Sequence, residues 1–142
     1  MSKAIARLKD SYRVEVQSDE HVYIIDEPID VGGTNKGPNP SQVVMGALGG
    51  CIAITMKMYA ERKGWKVDEI IVNLDYDRFK GSEYPGYEGD ENFVHEIRES
   101  ITLKGDLDAD QRARLFEIAS KCPVRRLISS PAFFIEELIA NE

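Results

Sequence analysis

The sequence predicts an α+β fold with antiparallel sheets, in the element order β-β-β-α-β-β-α-β. Strand-like runs rich in β-branched and aromatic residues precede and follow two separate helical patterns. The regular alternation of strands and helices that is typical of parallel sheets does not occur, and no nucleotide-binding fingerprint occurs either. With 142 residues and no internal repeat or linker, the chain is expected to form a single domain over residues 1–142.

The first three predicted strands are short. In the second, Tyr12, Val14 and Val16 alternate with Arg13 and Glu15, which is the pattern of a strand buried on one face. A loop rich in Gly, Pro, Asn and Asp follows the third strand. We therefore predict three consecutive strands, at residues 4–8, 12–16 and 21–26.

The longest helix is predicted to begin after Asn39, a good N-cap residue, and to end at Gly64, a good C-cap residue. Pro40 suits its first turn, where the missing N–H would be unpaired anyway. The helix is apolar on nearly every side until Lys57. Such a helix is expected to be buried on most sides.

Three glycines interrupt this helix directly before one of the two cysteines of the chain, Cys51. They are Gly46, Gly49 and Gly50, and each costs a helix about 1 kcal/mol relative to alanine. Small residues allow another backbone, or a substrate, to approach the helix closely. The glycines therefore make the helix surface near Cys51 a candidate site of close approach.

The second half of the chain predicts a long antiparallel hairpin. Its strands are expected at residues 67–79 and 93–105, where apolar and polar residues alternate. The acidic loop at residues 80–92 joins them, and we interpret it as a solvated hairpin tip or a substrate lid.

A second helix follows the hairpin, at residues 106–122. Asp108 is its predicted N-cap, and Gln111 three residues later fits a capping box. Pro123 interrupts the helical pattern. A further helical turn at residues 124–129 and a last strand at residues 131–140 complete the prediction.

Composition excludes several classes of function. The net charge of −7 and a pI near 4.9 argue against nucleic-acid binding, which needs clustered Lys and Arg. The first sixteen residues lack the apolar run of a signal peptide. The longest uncharged run, residues 37–56, has an apolar part that is too short for a membrane span. We expect a cytoplasmic protein that does not enter a membrane.

Few catalytic groups are available. His21 and His95 lie in strand-like segments without metal-ligand spacing, and no P-loop, GxSxG or HExxH motif occurs. No metal or cofactor is therefore predicted. Two cysteines in a cytosolic chain are more often thiols or redox groups than a structural disulfide, although buried cysteines are also common packing residues.

Cys122 has an unusual local position. It precedes Pro123, and the residue before a proline is displaced from the α region. If Pro123 opens a new helical turn, Cys122 lies at its N-terminus, where the helix dipole favours a thiolate. Packing of the two helices could then bring Cys122 close to Cys51, although the two lie 71 positions apart in the sequence.

Three segments of the sequence are similar to a known family. GPNPSQVVMGALGGCIAITMKMYAERKGW, VDEIIVNLDYDR and HEIRESITLKGDLDADQRARLFEIASKCPVRRLI resemble the OsmC/Ohr family, the osmotically inducible protein C and organic hydroperoxide resistance proteins. The Gly-Gly-Cys on the central helix and the distant Cys-Pro-Val carry most of the likeness. The resemblance covers the chain from about Asp26 to the C-terminus.

This resemblance implies an intertwined homodimer in which two sheets wrap a pair of central helices. It also implies thiol-dependent reduction of organic hydroperoxides, without a cofactor. By the pattern of the family, Cys51 corresponds to the peroxidatic thiol and Cys122 to the resolving thiol. An external dithiol would reduce the resulting disulfide.

In the family, an arginine holds the thiolate, and a glutamate ten residues before the cysteine positions that arginine. This chain departs from the family at both groups. Ser41 stands at the glutamate position, and Gln42 is its neighbour. Arg13 is a candidate substitute for the arginine, as are Arg7 and Lys36. Without a fixed cation, an apolar site is expected to raise the pKa of the Cys51 thiol.

Two functions therefore remain open. The first is a thiol peroxidase acting in the oxidative stress response. The second is a dimeric protein of the same family that binds a hydrophobic small molecule, or reacts slowly with thiols and disulfides. A pocket for such a molecule is predicted at the dimer interface, lined by Met45, Met56, Met58 and Tyr59. Ser41, Gln42, Met45 and Tyr59 are the candidate binding residues.

Overall fold

The structure is a computed structural model that describes residues 1–140. It contains five strands and three α-helices in this part of the chain, with the order β-β-β-α-β-β-α-α. Two single turns of 3-10 helix lie in the loops. The elements are β1 (Ile5–Leu8), β2 (Val14–Ser18), β3 (His21–Ile25), α1 (Pro40–Lys63), β4 (Glu69–Lys80), β5 (Phe93–Lys104), α2 (Ala109–Ala119) and α3 (Pro123–Ser129).

The predicted last strand is wrong within the described residues, because residues 131–140 form no regular secondary structure. A strand needs a neighbouring backbone to complete its hydrogen bonds, and these residues do not pair with another described strand. Their apolar side chains are 78% to 100% exposed, namely Phe133, Phe134, Ile135, Leu138 and Ile139. The other predicted elements are confirmed, with shifts of a few residues at their ends.

The fold divides into two compact units. The first contains residues 1–49 and 73–100, and the second contains residues 50–72 together with the chain from residue 101 onward.

In the first unit, β1, β2 and β3 form an antiparallel sheet in sequence order. Its register places Arg7 opposite Glu15 and Glu15 opposite Ile24, so these three side chains share one face. Val16 lies on the other face and is buried, which confirms the predicted one-sided burial of β2. The long strands β4 and β5 pair with each other, and backbone hydrogen bonds from Asp68 to Lys104 and from Gly81 to Asn92 give them antiparallel directions.

The loop after β3 is organised around one buried carboxylate, that of Asp26, which is only 1% exposed. It accepts hydrogen bonds from the Thr34 hydroxyl and from the backbone N–H groups of Glu27, Thr34 and Lys36. The hydroxyl of Thr34 contributes most to stabilising the charged form, and the backbone donors add to it. Although burial opposes them, they lower the pKa of Asp26 to about 2.

Helix α1 begins as predicted. The Asn39 side chain accepts from the backbone N–H of Gln42 at 2.9 Å, and the Gln42 side chain accepts from the backbone N–H of Asn39 at 2.9 Å. This reciprocal pair is a capping box. The helix is followed by Gly64, whose φ of 71° confirms the expected glycine at the end.

The expected burial of α1 on most sides is wrong for the described chain. One stripe is fully buried, and it consists of Leu48, Ile52, Met56 and Ala60. Other apolar residues of the helix remain exposed; Ile54 is 62% exposed and Met58 is 58% exposed. The apolar run was expected to be too short for a membrane span, but α1 is long and apolar enough to cross a membrane by length and composition alone. The core helix of a soluble protein meets the same criterion.

Helix α2 begins with the predicted capping box, in which Asp108 accepts from the Gln111 N–H at 2.8 Å and Gln111 accepts from the Asp108 N–H at 3.0 Å. The inner face of α2 is also as predicted. Leu115, Ile118 and Ala119 are buried there. These residues lie in the second unit, which also holds both cysteines.

Candidate functional site

The two cysteines lie next to each other in the second unit. Cys51 is half-buried on α1, and Cys122 is fully buried directly before α3. Both are free thiols, and their sulfur atoms are within hydrogen-bonding distance of each other. The packing that sequence reasoning proposed for these two segments is therefore present.

The Cys-Pro sequence positions the second thiol. Cys122 is extended, with φ of −61° and ψ of 131°, and it is the N-cap residue of α3, with Pro123 in the first turn. Its sulfur accepts a hydrogen bond from the backbone N–H of Arg125 at 3.4 Å. The backbone N–H of Val124 bonds to the sulfurs of both cysteines. The start of α3 thus presents backbone donors to the thiol pair.

The surroundings move the pKa values of the two thiols in opposite directions. Burial alone would raise the pKa of Cys51, but hydrogen bonds from Cys122, the Val124 N–H and the Thr55 hydroxyl outweigh it, so the pKa is lowered. Burial raises the pKa of Cys122, and its hydrogen bond to Cys51 raises it further. Cys51 is the thiol that ionises first, with Cys122 as a proton donor to its sulfur.

Two expectations about ionisation are therefore wrong. The pKa of Cys51 is lowered rather than raised, because hydrogen bonds to the sulfur stabilise the thiolate without a cation as the main cause. A dipole-favoured thiolate at Cys122 is also not found. Although Cys122 does lie at the helix N-terminus, burial and the nearby Cys51 sulfur outweigh the donors of Val124 and Arg125.

Arg13, the candidate activating cation, is exposed in the first unit directly before β2. It lines a cavity together with three other basic residues, Arg7, Lys9 and Lys36. The role of Arg13 near the thiolate stays a prediction.

The three candidate binding residues at the start of α1 lie in the first unit. Ser41 and Gln42 are exposed in the first turn, and Met45 is half-buried. The Gln42 side chain belongs to the capping box described above, so its position has a structural cause. Their participation in ligand binding stays a prediction.

Tyr59 lies two turns after Cys51 on α1 and is half-buried. Its hydroxyl oxygen accepts a hydrogen bond from Arg114 Nε at 3.0 Å, and its ring packs edge-on against Trp65. The hydrogen bond from Arg114 lowers the pKa of Tyr59 against the effect of burial, and the charges of Arg114, Lys63 and Lys121 add to it. The participation of Tyr59 in a pocket at the dimer interface stays a prediction.

Thr55 and Val124 are the site residues that sequence reasoning did not identify. Thr55 follows Cys51 by one helical turn, and that spacing is the signal that could have identified it. Val124 contributes through its backbone N–H, which no side-chain pattern reveals. The described residues contain no group of three or more His, Cys, Asp or Glu side chains arranged to hold a metal ion.

The second unit also has an apolar cavity of about 300 Å³ beside α1. Ile54 and Met58 from α1 line it, together with Val67 and Ile70. Of the methionines predicted to form a pocket, Met58 lines this cavity, while Met56 belongs to the buried core.

Comparison with known proteins identifies the fold and the family. The structure is similar to an organic hydroperoxide resistance protein OsmC from Legionella pneumophila, with 15% identity, a TM-score of 0.64, and coverage of 89% of this chain and 89% of that chain. It is also similar to the organic hydroperoxide resistance protein OhrB of Bacillus subtilis, with 19% identity, a TM-score of 0.62, and coverage of 91% of this chain and 90% of that chain. An OsmC-like protein from Mycoplasma pneumoniae is similar as well, with 19% identity, a TM-score of 0.67, and coverage of 90% of this chain and 86% of that chain. Comparison with curated proteins gives no significant sequence match. The model of the family described as OsmC-like protein matches residues 33–137, most of the chain. The chain therefore belongs to the OsmC-like protein family.

Proposed function

We propose that this protein is a thiol-dependent peroxidase that reduces organic hydroperoxides in the oxidative stress response. The observation that carries the proposal is the hydrogen-bonded pair of Cys51 and Cys122, with a lowered pKa at Cys51 and a raised pKa at Cys122. Membership of the OsmC-like family supports it, and so do the names of two structural neighbours that refer to hydroperoxide resistance.

In the first step, the Cys51 thiolate attacks one oxygen of the hydroperoxide O–O bond. An S–O bond forms, the O–O bond breaks, and the alkoxide leaves and takes a proton to become an alcohol. The sulfur is oxidised by two electrons to a sulfenic acid, and the peroxide is reduced. Because the attacking species is the thiolate, the hydrogen bonds of Thr55 and Val124 to Cys51 increase the reactive fraction at neutral pH.

In the second step, the Cys122 sulfur attacks the Cys51 sulfur. The S–S bond forms, the sulfenic oxygen leaves with the Cys122 proton, and water is released. The short separation of the two sulfurs favours this condensation over further oxidation of Cys51. An external dithiol then reduces the disulfide by two exchange steps and is itself oxidised to a disulfide.

We propose that the active form is a cytoplasmic homodimer. Helix α1 exposes Ile54 and Met58, although it is apolar enough for a core helix. The unpaired apolar segment at residues 131–140 is a second surface that a partner chain would cover. Both features are expected of a chain whose core is completed by a second copy. We also propose that Arg13 is the cation that stabilises the Cys51 thiolate, and substitution of Arg13 tests this role.

The alternative function is binding of a hydrophobic small molecule without peroxidase turnover. The apolar cavity beside Ile54 and Met58 favours it, since its volume of about 300 Å³ is at the lower end of the ~300–1,000 Å³ typical of ligand pockets. Ser41 at the glutamate position of the family is consistent with this alternative.

Consumption of cumene hydroperoxide, with dithiothreitol as electron donor, tests the proposal. The wild-type protein is expected to turn over repeatedly, and Cys51→Ser is expected to abolish consumption. Cys122→Ser is expected to allow an initial reaction, but its Cys51 sulfenic acid should be over-oxidised more readily than in the wild-type protein. Ser120→Ala is the matched control, because Ser120 is exposed two residues from Cys122 and should leave the rate unchanged.

A wild-type rate no higher than that of Cys51→Ser would contradict the peroxidase proposal and favour the alternative. In that case, a hydrophobic fluorescent probe should bind the protein, and Ile54→Asn should weaken its binding. Arg13→Gln completes the series, and a fall in the rate with hydroperoxide would support Arg13 as the cation.

A further inference from the structure

The first unit contains a cavity of about 350 Å³, and of its lining residues only Arg13 also has a proposed role in the thiol chemistry. Four basic side chains line it, in a chain whose net charge is −7. Two acidic residues and one apolar residue complete the lining. The residues are Arg7, Lys9, Arg13, Lys36, Asp10, Glu15 and Ile24.

The basic residues converge because of the strand register. Arg7 on β1, Glu15 on β2 and Ile24 on β3 are paired across the sheet, so their side chains line one face in a row. Lys9 and Arg13 lie two residues from Arg7 and Glu15, at the turn between β1 and β2, where the Arg13 N–H bonds to the Asp10 carbonyl. This face is opposite to the one that buries Val16.

Lys36 reaches the same face from the loop after β3, and two contacts hold its backbone in place. The Lys36 N–H donates to the buried Asp26 carboxylate at 3.0 Å. At the next position, Gly37 lies so close to Ile24 that a Cβ atom there would stand 2.2 Å from the Ile24 carbonyl oxygen. The loop can approach β3 only because residue 37 is glycine, and the position of Lys36 beside the sheet is therefore built into the fold.

The charges around the cavity are not satisfied by one another. Within the described residues, none of the four basic side chains forms an ion pair within 4.0 Å, although such pairs occur elsewhere, for example between Arg98 and Glu96. Asp10 and Glu15 also remain without an ion-pair partner in the same part of the chain. Four clustered cations repel each other, so their convergence favours an anionic ligand.

We propose that this cavity binds a phosphomonoester of a small hydroxylated molecule. Arginine side chains match the oxygens of a phosphate in a bidentate manner, and lysines add charge. Asp10 and Glu15 are acceptors that suit ligand hydroxyl groups. A cavity of about 350 Å³ is larger than a bare phosphate needs and fits a sugar phosphate.

Isothermal titration calorimetry of the full chain tests the proposal with three probes: glucose 6-phosphate, inorganic phosphate and glucose. We expect saturable binding of glucose 6-phosphate, weaker binding of inorganic phosphate, and none of glucose. Arg7→Gln and Lys36→Gln should each weaken the binding of glucose 6-phosphate about tenfold, the value of one charged hydrogen bond. Lys66→Gln is the control, since it makes the same charge change at an exposed lysine outside the cavity.

Absence of saturable binding by the wild-type protein would overturn the proposal. An equal loss of affinity in Lys66→Gln would also overturn it, because binding would then reflect overall charge. If inorganic phosphate bound as tightly as glucose 6-phosphate, the assignment of the ligand as a phosphate ester would be overturned. If a variant is destabilised, amide chemical shifts of the wild-type protein provide a test that needs no variant. Glucose 6-phosphate should change the amide shifts of residues 7–15 and 36 selectively. Changes confined to other regions would contradict the site.

Discussion

Cys122 donates a hydrogen bond to the sulfur of Cys51 from the N-cap position of α3. This contact stabilises a thiolate on Cys51 and retains the proton on Cys122, so the two cysteine side chains have different pKa values. A nucleophile needs the first property, and the release of water from a sulfenic acid needs the proton of the second. The division of roles follows from the burial of Cys122 and from the hydrogen bonds to Cys51.

Replacing Thr55 by valine should slow the reaction of Cys51 with iodoacetamide at neutral pH. Valine has the same shape but lacks the hydroxyl that donates to the Cys51 sulfur, so the pKa of Cys51 should rise. The measurement is the alkylation rate of the Cys51 peptide as a function of pH. Thr55→Ser should keep the wild-type profile, and Thr102→Val on exposed β5 is the control. An unchanged pH profile in Thr55→Val would show that the hydroxyl does not stabilise the thiolate.

Replacing Asp26 by asparagine should destabilise the protein in a pH-dependent manner. The folded state lowers the pKa of Asp26 from 3.8 to about 2, chiefly through the Thr34 hydroxyl, so the charged form is preferred in the fold. This contribution to stability is complete above the unfolded value of 3.8 and is lost as the pH falls through 2. The urea midpoints of wild type and Asp26→Asn should therefore differ most near neutral pH and converge towards pH 2.

Asp30→Asn is the control for this comparison, because Asp30 is an exposed aspartate in the same loop. Its midpoint should follow the wild type at every pH. A constant difference between wild type and Asp26→Asn across the acidic range would mean that the loss is steric and does not arise from the charge of the carboxylate.

Replacing Arg114 by glutamine should raise the pKa of Tyr59. The guanidinium of Arg114 donates to the phenolic oxygen at 3.0 Å and is the main cause of the lowered pKa. Ultraviolet titration of the phenolate, taken as the difference from Tyr59→Phe, measures this group alone. Arg126→Gln removes an exposed arginine elsewhere and should leave the titration unchanged. A Tyr59 titration that does not move in Arg114→Gln would exclude this hydrogen bond as the cause.

Replacing Gly46 by alanine tests the proposed dimer. A Cβ atom at this position meets no other side chain or loop atom within 4 Å in the described chain, so alanine should stabilise the isolated helix by about 1 kcal/mol. If a partner chain packs closely on the helix, the added methyl should instead weaken the dimer, as measured by sedimentation over a dilution series. Glu61→Ala at the exposed polar end of α1 is the control. A dimer unchanged in affinity, with a higher melting temperature, would contradict close packing at Gly46.

Elements whose signals are local were predictable from the sequence. Asn39 and Gln42 cap α1 by hydrogen bonds between near neighbours, and Asp108 with Gln111 does the same for α2. The alternation around Val16 also predicted a strand with one buried face, because that pattern needs only the strand period. The last strand was not predictable in this way, since residues 131–140 have strand composition but no described backbone to pair with.

The candidate site was predictable only in its chemistry-bearing residues. Cys51 and Cys122 were recognisable from their neighbours and from the resemblance to the family, and the structure brings their sulfurs together. The lowered pKa of Cys51 depends on hydrogen bonds from Cys122, from the Val124 backbone N–H and from Thr55, and a backbone group has no side-chain signature. The expectation of a raised pKa at Cys51 failed because it considered burial and cations but not hydrogen bonds.

The intact mass of the reduced protein, after one equivalent of cumene hydroperoxide under non-reducing conditions, tests the central claim most directly. We predict a rapid loss of two hydrogens, together with a peptide map that joins Cys51 to Cys122. Either Cys51→Ser or Cys122→Ser should abolish this loss. An unchanged mass, with both thiols still titratable after unfolding, would contradict a peroxidatic and resolving pair in this protein.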